Sequence, residues 1–522
     1  MHTPEVFSRS LTVCGSRHLL EENECKSCVT AVAAPGSMAC QAMNDDIPLE
    51  LSEFERLLNK PNSDLTGFAG FFNAGEIWVA RVPARLDVMG GIADYSGANV
   101  CEAVLGGGML MALQARTDRT LRIRTMQASH RTLPVETRIP LDYMMANGSV
   151  GDYTHIRELC HANPLASWAA YIGGSIFTLL KEESVKLPYG FSFLLLSAVP
   201  MNVGIGSSAA VEIGTLSCLN AYLGLQLDGA RLARLGQMAE NHVVGAPCGI
   251  MDQIAVASGR CDKLTHILCR PGQIVGEVEI PEGTGFVGIN SMVLHSVAGN
   301  AYGNVRIGAF MGRKIINELR ARSGGAALHY LTEVTPQEWE TDFKKGVPES
   351  ILGSEFLDKY KTHDDSVTTI QPDATYRVAG PTRHAIGENE RVLRFIRALR
   401  SPDGRGHDCV QAGELMYLAH ESYRDNCRLS VPEVNFLVES VRKRGPQQGL
   451  YGAKITGGGT GGTVAVFGKT AALKEHVPQI AVEFSRRVGV LPDIFEGTSP
   501  GAVEFGARRF VFGAKGWRLA PA

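Results

Sequence analysis

Residues 194–222 read LLLSAVPMNVGIGSSAAVEIGTLSCLNAY and say most about the architecture. An apolar run at 193–199 predicts a buried strand, which passes through Pro200 into a glycine-rich loop. Apolar residues then recur at the spacing of one helix face. The segment therefore predicts a strand–loop–helix unit whose helix begins near Ser207 and Ser208.

The loop of this unit, GIGSS at 204–208, has the composition of an anion site. Backbone N–H groups and the positive end of the helix dipole favour a negative charge at a helix start. Glycines allow the backbone to approach a ligand closely, and serine hydroxyls can reach a metal. The same residues also fit an ordinary N-capped helix, so both interpretations remain open at this point.

Two better-known phosphate-binding motifs do not fit. The segment 468–470 ends like a P-loop, but Thr463 stands where the first glycine belongs. The segment 457–462 has the spacing G-x-G-x-x-G, yet residues 463–467 after it read as a strand and not as the required helix. A glycine-dense loop between two strands, suited to close backbone approach, is the prediction for 451–467.

Two other segments carry charged residues that can do chemistry. The strand predicted over 77–82 ends at Pro83 and leads into a loop that presents Arg85, Asp87, Asp94 and Tyr95, although a solvated salt bridge is an alternative.

Further along, Glu240 lies near the end of a helix that starts at about 229, and Asp252 begins the next helix after a glycine turn. Carboxylates so placed can hold Mg²⁺ and a substrate hydroxyl, or simply cap helices.

Composition narrows the class of protein. The chain has 522 residues, which predicts two or three domains. It has 51 basic and 54 acidic residues, so it lacks the excess of positive charge that is typical of proteins that bind nucleic acid or anionic membranes. The longest nearly apolar stretch, 104–115, is too short to span a bilayer. The 12 cysteines lack framework spacing, and Cys25 and Cys28 have no second pair for zinc. We expect a soluble, cytoplasmic protein.

Residues 1–48 differ from the rest of the chain. They lack a periodic apolar pattern and the apolar run of a secretory signal, and the acidic Glu21, Glu22 and Glu24 argue against a transit peptide. A mobile tail is the prediction for 1–48. Strand-like and helix-like segments alternate from about residue 50 onward.

Several segments together resemble the GHMP kinases, which bind ATP phosphates without a Walker loop. Segments 83–97, 200–212 and 452–463 look like that family's three motifs. GAPCGIMDQ at 245–253 and HSVAGNAYGNVR at 295–306 are similar to galactokinase catalytic and sugar-contacting segments. LDVMGGIADYSG, YGAKITGGGTGGTV and FEGTSPGA are closest to the kinase part of plant-type L-arabinokinases. The resemblance runs from about residue 75 to the C-terminus.

This resemblance implies an α+β, two-domain GHMP kinase fold. A ribosomal-protein-S5-like N-terminal domain, 49–299, would hold the ATP-phosphate loop and the catalytic residues. A ferredoxin-like C-terminal domain would span 300–522, with the active site in the cleft between the halves. Region 324–392, which contains Asp364 and Asp365, looks like an elaboration of the second half. Whether the protein is a monomer or a homodimer stays undetermined.

The resemblance also implies roles for individual residues. Asp252 would take the proton of the sugar's C1 hydroxyl, and Arg85 would hold Asp252 ionised and neutralise charge that develops nearby. Glu240 and Ser208 would hold Mg²⁺, although Gly206 stands where galactokinases have their first serine, so Ser207 remains an alternative. The ATP phosphates would lie on Gly204, Gly206, Ser207, Ser208 and Ala209. The sugar would be held by Asp94, Gly249 and Tyr302, and Cys248 is interpreted as structural.

A departure from galactokinases at Gly91 and Ile92 points to the substrate. Galactokinases carry Glu-His there, and the glutamate resembles a ligand for the C6 hydroxyl of galactose. L-Arabinopyranose has the same ring configuration without C6, so the loss of that carboxylate fits a pentose. The prediction is ATP-dependent formation of L-arabinose 1-phosphate. The alternatives are a galactokinase or dual-specificity kinase, and a non-catalytic regulator that binds sugar and ATP.

Overall fold

The computed structural model describes residues 49–60, 70–127, 135–146, 149–161, 168–294, 300–400 and 407–521. These residues belong to one compact unit, Ala42–Ala522. The tail predicted for 1–48, with Cys25 and Cys28, lies outside the described residues, as do positions 295–299 of the segment HSVAGNAYGNVR. No helix in the described part of the chain is long and apolar enough to cross a membrane.

The strands of the described residues are β1 Glu76–Met89, β2 Asn99–Ala115, β3 Thr120–Gln127, β4 Val135–Pro140, β5 Met145–Ala146, β6 Ser149–Val150, β7 Phe191–Ser197, β8 Lys263–Leu268, β9 Gln273–Glu279, β10 Thr284–Asn290, β11 Ser350–Leu352, β12 Thr375–Arg377, β13 Leu450–Ile455, β14 Thr463–Lys469, β15 Ile494–Phe495, β16 Arg508–Gly513 and β17 Gly516–Leu519.

The α-helices of the same residues are α1 Leu49–Leu58, α2 Tyr153–His161, α3 Ala170–Glu182, α4 Ser207–Leu223, α5 Gly229–Met238, α6 Met251–Ser258, α7 Asn300–Arg322, α8 Pro336–Glu338, α9 Gly353–Tyr360, α10 Ala379–Arg400, α11 Cys409–Ser422, α12 Pro432–Arg444, α13 Thr470–Val488 and α14 Ala502–Phe505.

A large sheet forms the centre of the N-terminal part. Its strand order is β17-β16-β1-β2-β7-β3-β4, with β8 added to β2 and β9 to β8. The long strand β2 pairs with β7 through Met109–Ala115 and with β8 through Asn99–Ala103. Apolar residues of α3, α4, α5 and α6 form a core with β1, β2, β3 and β7. In this helical layer the N-terminal ends of α4 and α6 line one cavity.

A second sheet, β13-β14-β10-β15, packs with α12 and α13 around another apolar core. Its strand β10 precedes residue 300, whereas β16 at the C-terminal end pairs with β1 of the large sheet. The chain therefore passes more than once between the sheets. The domain boundary at 299/300 stays a prediction.

The prediction that the first strand ends at Pro83 is wrong, because β1 continues to Met89. The pairing of β1 with β2 shifts register between Pro83 and Arg85, and the Arg85 N–H donates instead to the Ile205 carbonyl at 3.0 Å. A proline is tolerated at such an irregularity because it has no N–H to donate. Arg85 and Asp87 consequently lie in a buried strand and not in a loop.

The other local predictions agree with the structure. Strand β7 leads through the glycine loop into α4, which begins at Ser207. Glu240 follows α5 in a π-helical turn, Ala239–Val244, and Asp252 lies in the first turn of α6. A glycine loop connects β13 to β14, as predicted, but it spans only 456–462, because 451–455 and 463–467 belong to the two strands.

Candidate active site

A cavity of about 260 Å³ collects almost all the residues that the sequence analysis singled out. Strand β1, the 3₁₀ turn Gly91–Ser96, the loop before α4, the turn before α6 and the start of α7 contribute its polar wall. The predicted site residues that line it are Arg85, Asp94, Gly204, Gly206, Ser207, Ser208, Glu240, Gly249, Asp252 and Tyr302. Ala209 is not among the lining residues and is fully buried in the first turn of α4.

Arg85 and Asp252 form a two-pronged ion pair in this wall. The Arg85 Nε and Nη2 groups donate to the two carboxylate oxygens at 2.9 and 2.6 Å. The arginine side chain is only 3% exposed, while that of Asp252 is 21% exposed and reaches the cavity. Burial alone would lower the pKa of Arg85, but the charges of Asp252 and Glu102 outweigh it and raise that pKa. The guanidinium is therefore a permanent cation behind an accessible carboxylate.

The glycine loop fits closely around Arg85. The Arg85 Nη1 group donates to the Gly204 carbonyl at 2.7 Å. A Cβ atom on Gly206 would lie 2.9 Å from the Arg85 Cγ atom, and its φ of +77° is in the left-handed region that favours glycine. Position 206 therefore requires glycine for both conformation and space.

The start of α4 is open to the cavity. Its N-cap residue is Gly206, and no side chain caps the helix there. The helix is therefore N-capped by a glycine, and neither serine hydroxyl caps it. The first-turn N–H groups of a helix have no intrahelical partner and attract anions. Ser207 and Ser208 occupy this turn and line the cavity.

Glu240 and Ser208 supply oxygen atoms that fit a small divalent cation. The Ser208 and Glu240 side chains are hydrogen-bonded to each other, and burial, followed by the charge of Asp252, raises the pKa of Glu240 to about 7. Among the described residues no group of three or more His, Cys, Asp or Glu could hold a metal. Mg²⁺ commonly takes one or two protein carboxylates and completes its shell with phosphate and water, so this donor set fits it.

Asp94 and Gly249 meet at the other end of the polar wall. The Asp94 carboxylate accepts hydrogen bonds from the backbone N–H groups of Tyr95 at 2.6 Å and Met251 at 3.4 Å. A Cβ atom on Gly249 would lie 1.8 Å from the Asp94 Oδ2 atom. Burial first, and then the charge of Asp252, raise the pKa of Asp94 to about 7. Tyr302, buried beside the ring of Tyr95, closes this end.

The sequence analysis singled out Asp87 but missed other buried polar residues near the cavity, namely Lys454, Glu102, Gln253 and Glu212. Lys454 and Asp87 form an ion pair of 2.8 Å in which both side chains are fully buried. Glu102 lies 3.6 Å from Arg85, and Gln253 donates to both Glu212 and Glu240, at 3.0 and 2.8 Å. A charged residue inside an otherwise apolar strand, as at 102 and 454, is the signal that could have identified them.

The cavity lining also includes an apolar and aromatic set of residues. It contains Met109, Trp168, Tyr171, Leu195 and Val211. A flat heterocycle could therefore pack against these apolar and aromatic side chains. A chain of anionic groups on the same ligand could bind at the start of α4, which lines the same cavity.

Comparisons with known proteins agree with this geometry. Residues 170–260 match the family model of the GHMP kinases N terminal domain. The chain is 37% identical over 494 residues to an L-arabinokinase of Arabidopsis thaliana, covering 84% of this chain and 47% of that protein. This chain therefore spans about half the length of that relative. A galactokinase of Actinobacillus pleuropneumoniae is 28% identical over 406 residues, which cover 78% of this chain and 86% of that protein.

The fold has a solved counterpart in the galactokinase of Lactococcus lactis complexed with galactose. The TM-score is 0.64 at 20% sequence identity, and the match covers 88% of this chain and 99% of that one. Fold and site together define a two-sheet α+β protein with the architecture of a small-molecule kinase. The resemblance to the GHMP kinase family that was drawn from the motifs is confirmed by the matching family model and by these relatives.

Proposed function

We propose that this protein is an ATP-dependent sugar 1-kinase that transfers the γ-phosphate of ATP to the anomeric hydroxyl of L-arabinose, giving L-arabinose 1-phosphate. The observation that carries the proposal is the Arg85–Asp252 pair, which lines the same cavity as the open start of α4. Similarity to the Arabidopsis L-arabinokinase supports the choice of sugar. The cysteine usage supports a cytoplasmic location.

Asp252 is the proposed base. Its carboxylate reaches the cavity while both of its oxygens stay oriented by Arg85. It would accept the C1 hydroxyl proton as that oxygen attacks the γ-phosphorus, while the bond from this phosphorus to the β–γ bridging oxygen breaks and ADP leaves. Arg85 would neutralise charge on the transferred phosphoryl group, since catalysis of phosphoryl transfer depends mainly on positioning and charge stabilisation.

ATP would lie along the cavity with its phosphates at the start of α4. The phosphates would be bound by the backbone of Gly204 and Gly206 and by the first-turn N–H groups of α4. The adenine ring of ATP would contact Trp168 and Tyr171. Glu240 and Ser208 would hold Mg²⁺; the hydrogen bond between them favours Ser208 over Ser207 as the second ligand. When bound, that ion would neutralise phosphate charge.

The surroundings of Gly91 support a pentose substrate. Gly91 has a φ of +48°, and a Cβ atom there would lie 1.7 Å from the Tyr423 hydroxyl oxygen. That hydroxyl accepts from the Ile92 N–H at 2.8 Å and donates to the Gly457 carbonyl at 2.9 Å. Position 91 therefore offers no polar side chain, and Ile92 presents an apolar surface to the cavity.

A galactokinase or dual-specificity kinase is the second candidate, favoured by the 86% coverage of the Actinobacillus galactokinase. A non-catalytic regulator has less support, because the residues proposed for chemistry are all present and line one cavity.

The test is ATP-dependent phosphorylation of L-arabinose, D-galactose, D-galacturonate and L-fucose by the wild type, Asp252→Ala and, as a matched control, the exposed Asp358→Ala. We expect the highest kcat/KM with L-arabinose, its loss in Asp252→Ala, and no change in the control. Galactose turnover equal to that of L-arabinose would favour the second candidate. ATP binding without turnover of any sugar would favour the regulator.

A further inference from the structure

A buried ion pair connects α7 to the region 324–392. The Arg306 Nε and Nη2 groups donate to the Asp365 Oδ2 and Oδ1 atoms at 2.7 and 2.9 Å. The two side chains are only 6% and 3% exposed. Removing one partner of such a pair leaves an uncompensated buried charge, so the contact holds its two segments firmly together.

Asp365 is held in place from its own side as well. The Thr368 hydroxyl donates to the Asp365 Oδ2 atom at 2.7 Å, and the Val367 N–H donates to Oδ1 at 3.2 Å. Burial alone would raise the pKa of Asp365, but hydrogen bonds and the charge of Arg306 lower it overall. The carboxylate is therefore a fixed anion that orients the guanidinium.

The rest of the Arg306 guanidinium reaches the turn before α6. Its Nη1 group donates to the Pro247 and Cys248 carbonyls at 3.1 and 3.0 Å. Its planar face lies over the Tyr95 and Phe310 rings, with the carbon atom Cζ 5.4 and 5.2 Å from their centroids. One side chain thus ties the turn 247–248 to the rings of Tyr95 and Phe310.

The turn that Arg306 holds leads directly into the proposed sugar contacts. Gly249 follows it and packs against the Asp94 carboxylate without room for a side chain. The Met251 N–H then donates to Asp94, and Asp252 comes next. A displacement of the carbonyls at 247–248 would therefore move Gly249 away from Asp94.

The phosphate side of the cavity is held by different contacts. The carbonyls of Gly204 and Ile205 accept from Arg85, and the Val203 carbonyl accepts from the Thr463 hydroxyl at 2.8 Å. None of these contacts passes through Arg306 or Asp365. Arg85 contacts both sides of the cavity through Asp252 and Gly204, whereas the hydrogen bonds that Arg306 donates to the backbone reach the turn 247–248 and not the loop 203–206.

We propose that Arg306 and Asp365 are positioning residues of the sugar site, through which the region 324–392 sets the affinity for the sugar but not for ATP. This inference rests on the proposed sugar kinase function. Neither residue contacts the cavity, so both act through the turn at 247–249.

The test compares Asp365→Asn with the neighbouring Asp364→Asn as a matched control. The Asp364 side chain is 47% exposed and pairs with Lys314 at 3.1 Å on the surface. In steady-state kinetics and calorimetry we expect the KM and Kd for L-arabinose to rise about 10-fold in Asp365→Asn, with the values for ATP changed less than about twofold, because small displacements of positioning groups are costly. The control should match the wild type for both ligands.

Thr368→Val keeps both charges and removes the hydroxyl that bonds Asp365 and the His363 Nε2 atom, so it decides the question if Asp365→Asn fails to fold. We expect a smaller rise in the same two constants for L-arabinose, with a Tm high enough for the variant to be folded at the assay temperature. The positioning role would be overturned if the affinities for sugar and ATP fell equally, or if a folded variant kept its affinity for sugar. The proposed function would still stand in both cases, provided that the wild type phosphorylates L-arabinose. A wild type that binds ATP but no sugar would overturn both.

Discussion

Arg85 holds both oxygens of Asp252 and at the same time the carbonyl of Gly204, which lies in the loop before α4. A single guanidinium thus sets the distance between the proposed base and the phosphate loop. Because Arg85 is buried in β1, this geometry is built into the sheet and does not wait for a ligand.

Arg85→Lys should lower kcat strongly while the protein stays folded. A lysine ammonium cannot hold two carboxylate oxygens and a carbonyl in one plane. We expect a loss of about 10²-fold in kcat with L-arabinose, comparable to removal of one charge-stabilising donor elsewhere. The exposed Arg119→Lys is the control, since Arg119 pairs with Asp142 far from the cavity. A kcat within the range of this control would contradict the role given to Arg85.

Asp94 should make the stability of the ligand-free protein depend on pH. Its pKa rises from 3.8 to about 7 on folding, so the folded protein binds its proton more tightly than the unfolded chain does. Its favourable contribution is therefore complete below pH 3.8 and is lost as the pH rises through about 7.

Asp94→Asn removes this titration. The difference in Tm between this variant and the wild type, measured by thermal unfolding, should therefore increase as the pH rises from about 4 to about 8. This pH range brackets the two pKa values of 3.8 and about 7. The exposed Asp373→Asn should show a constant difference from the wild type. A constant difference for Asp94→Asn as well would show that Asp94 does not titrate in this way.

Gly249→Ala should weaken sugar binding through a steric clash. The added methyl group would overlap the Asp94 carboxylate, whose Oδ2 atom lies 1.8 Å from the Cβ position. We expect a higher KM for the sugar and a lower Tm.

Gly303→Ala is its matched control, because a Cβ atom there meets nothing within 4 Å and α7 favours alanine. Equal sugar KM values in the two variants would argue against the contact between Gly249 and Asp94 as part of the sugar site.

Lys454→Met should destabilise the protein more than the double variant Asp87→Asn/Lys454→Met. Asp87 also accepts hydrogen bonds from the Gly91 and Gly457 N–H groups, so its carboxylate stays buried when Lys454 is removed. We expect a loss of about 3–5 kcal/mol in the free energy of unfolding for the single variant. Chemical denaturation of the wild type, Lys454→Met, Asp87→Asn and the double variant gives the coupling energy between the two side chains. If the losses in unfolding free energy of the two single variants add up to that of the double variant, the two residues do not form a strong pair.

The amino-acid sequence was sufficient for the local elements and for the family. Periodicity and glycine spacing predicted β7, the glycine loop and the start of α4, because strand and helix signals depend on residues close together in the chain. The motifs around Asp94, Asp252 and 452–463 identified the family and most cavity residues for the same reason.

Local rules did not suffice where the sheet overrides them. Pro83 predicts the end of a strand, yet β1 continues through it because long-range pairing with β2 resumes at Arg85 after a register shift. The cost of one missing N–H is small beside the many contacts of a long strand pair.

The family resemblance implied that Arg85 and Asp252 meet, but only the tertiary structure decided which of the other charged residues form pairs. Arg85 and Asp252 are 167 residues apart, Arg306 and Asp365 are 59 apart, and Lys454 and Asp87 are 367 apart. Nothing in a charged residue's neighbours along the chain specifies a partner at such separations. Partners are selected when packing removes water, since a buried charge is tolerated only beside an opposite one or a set of hydrogen bonds.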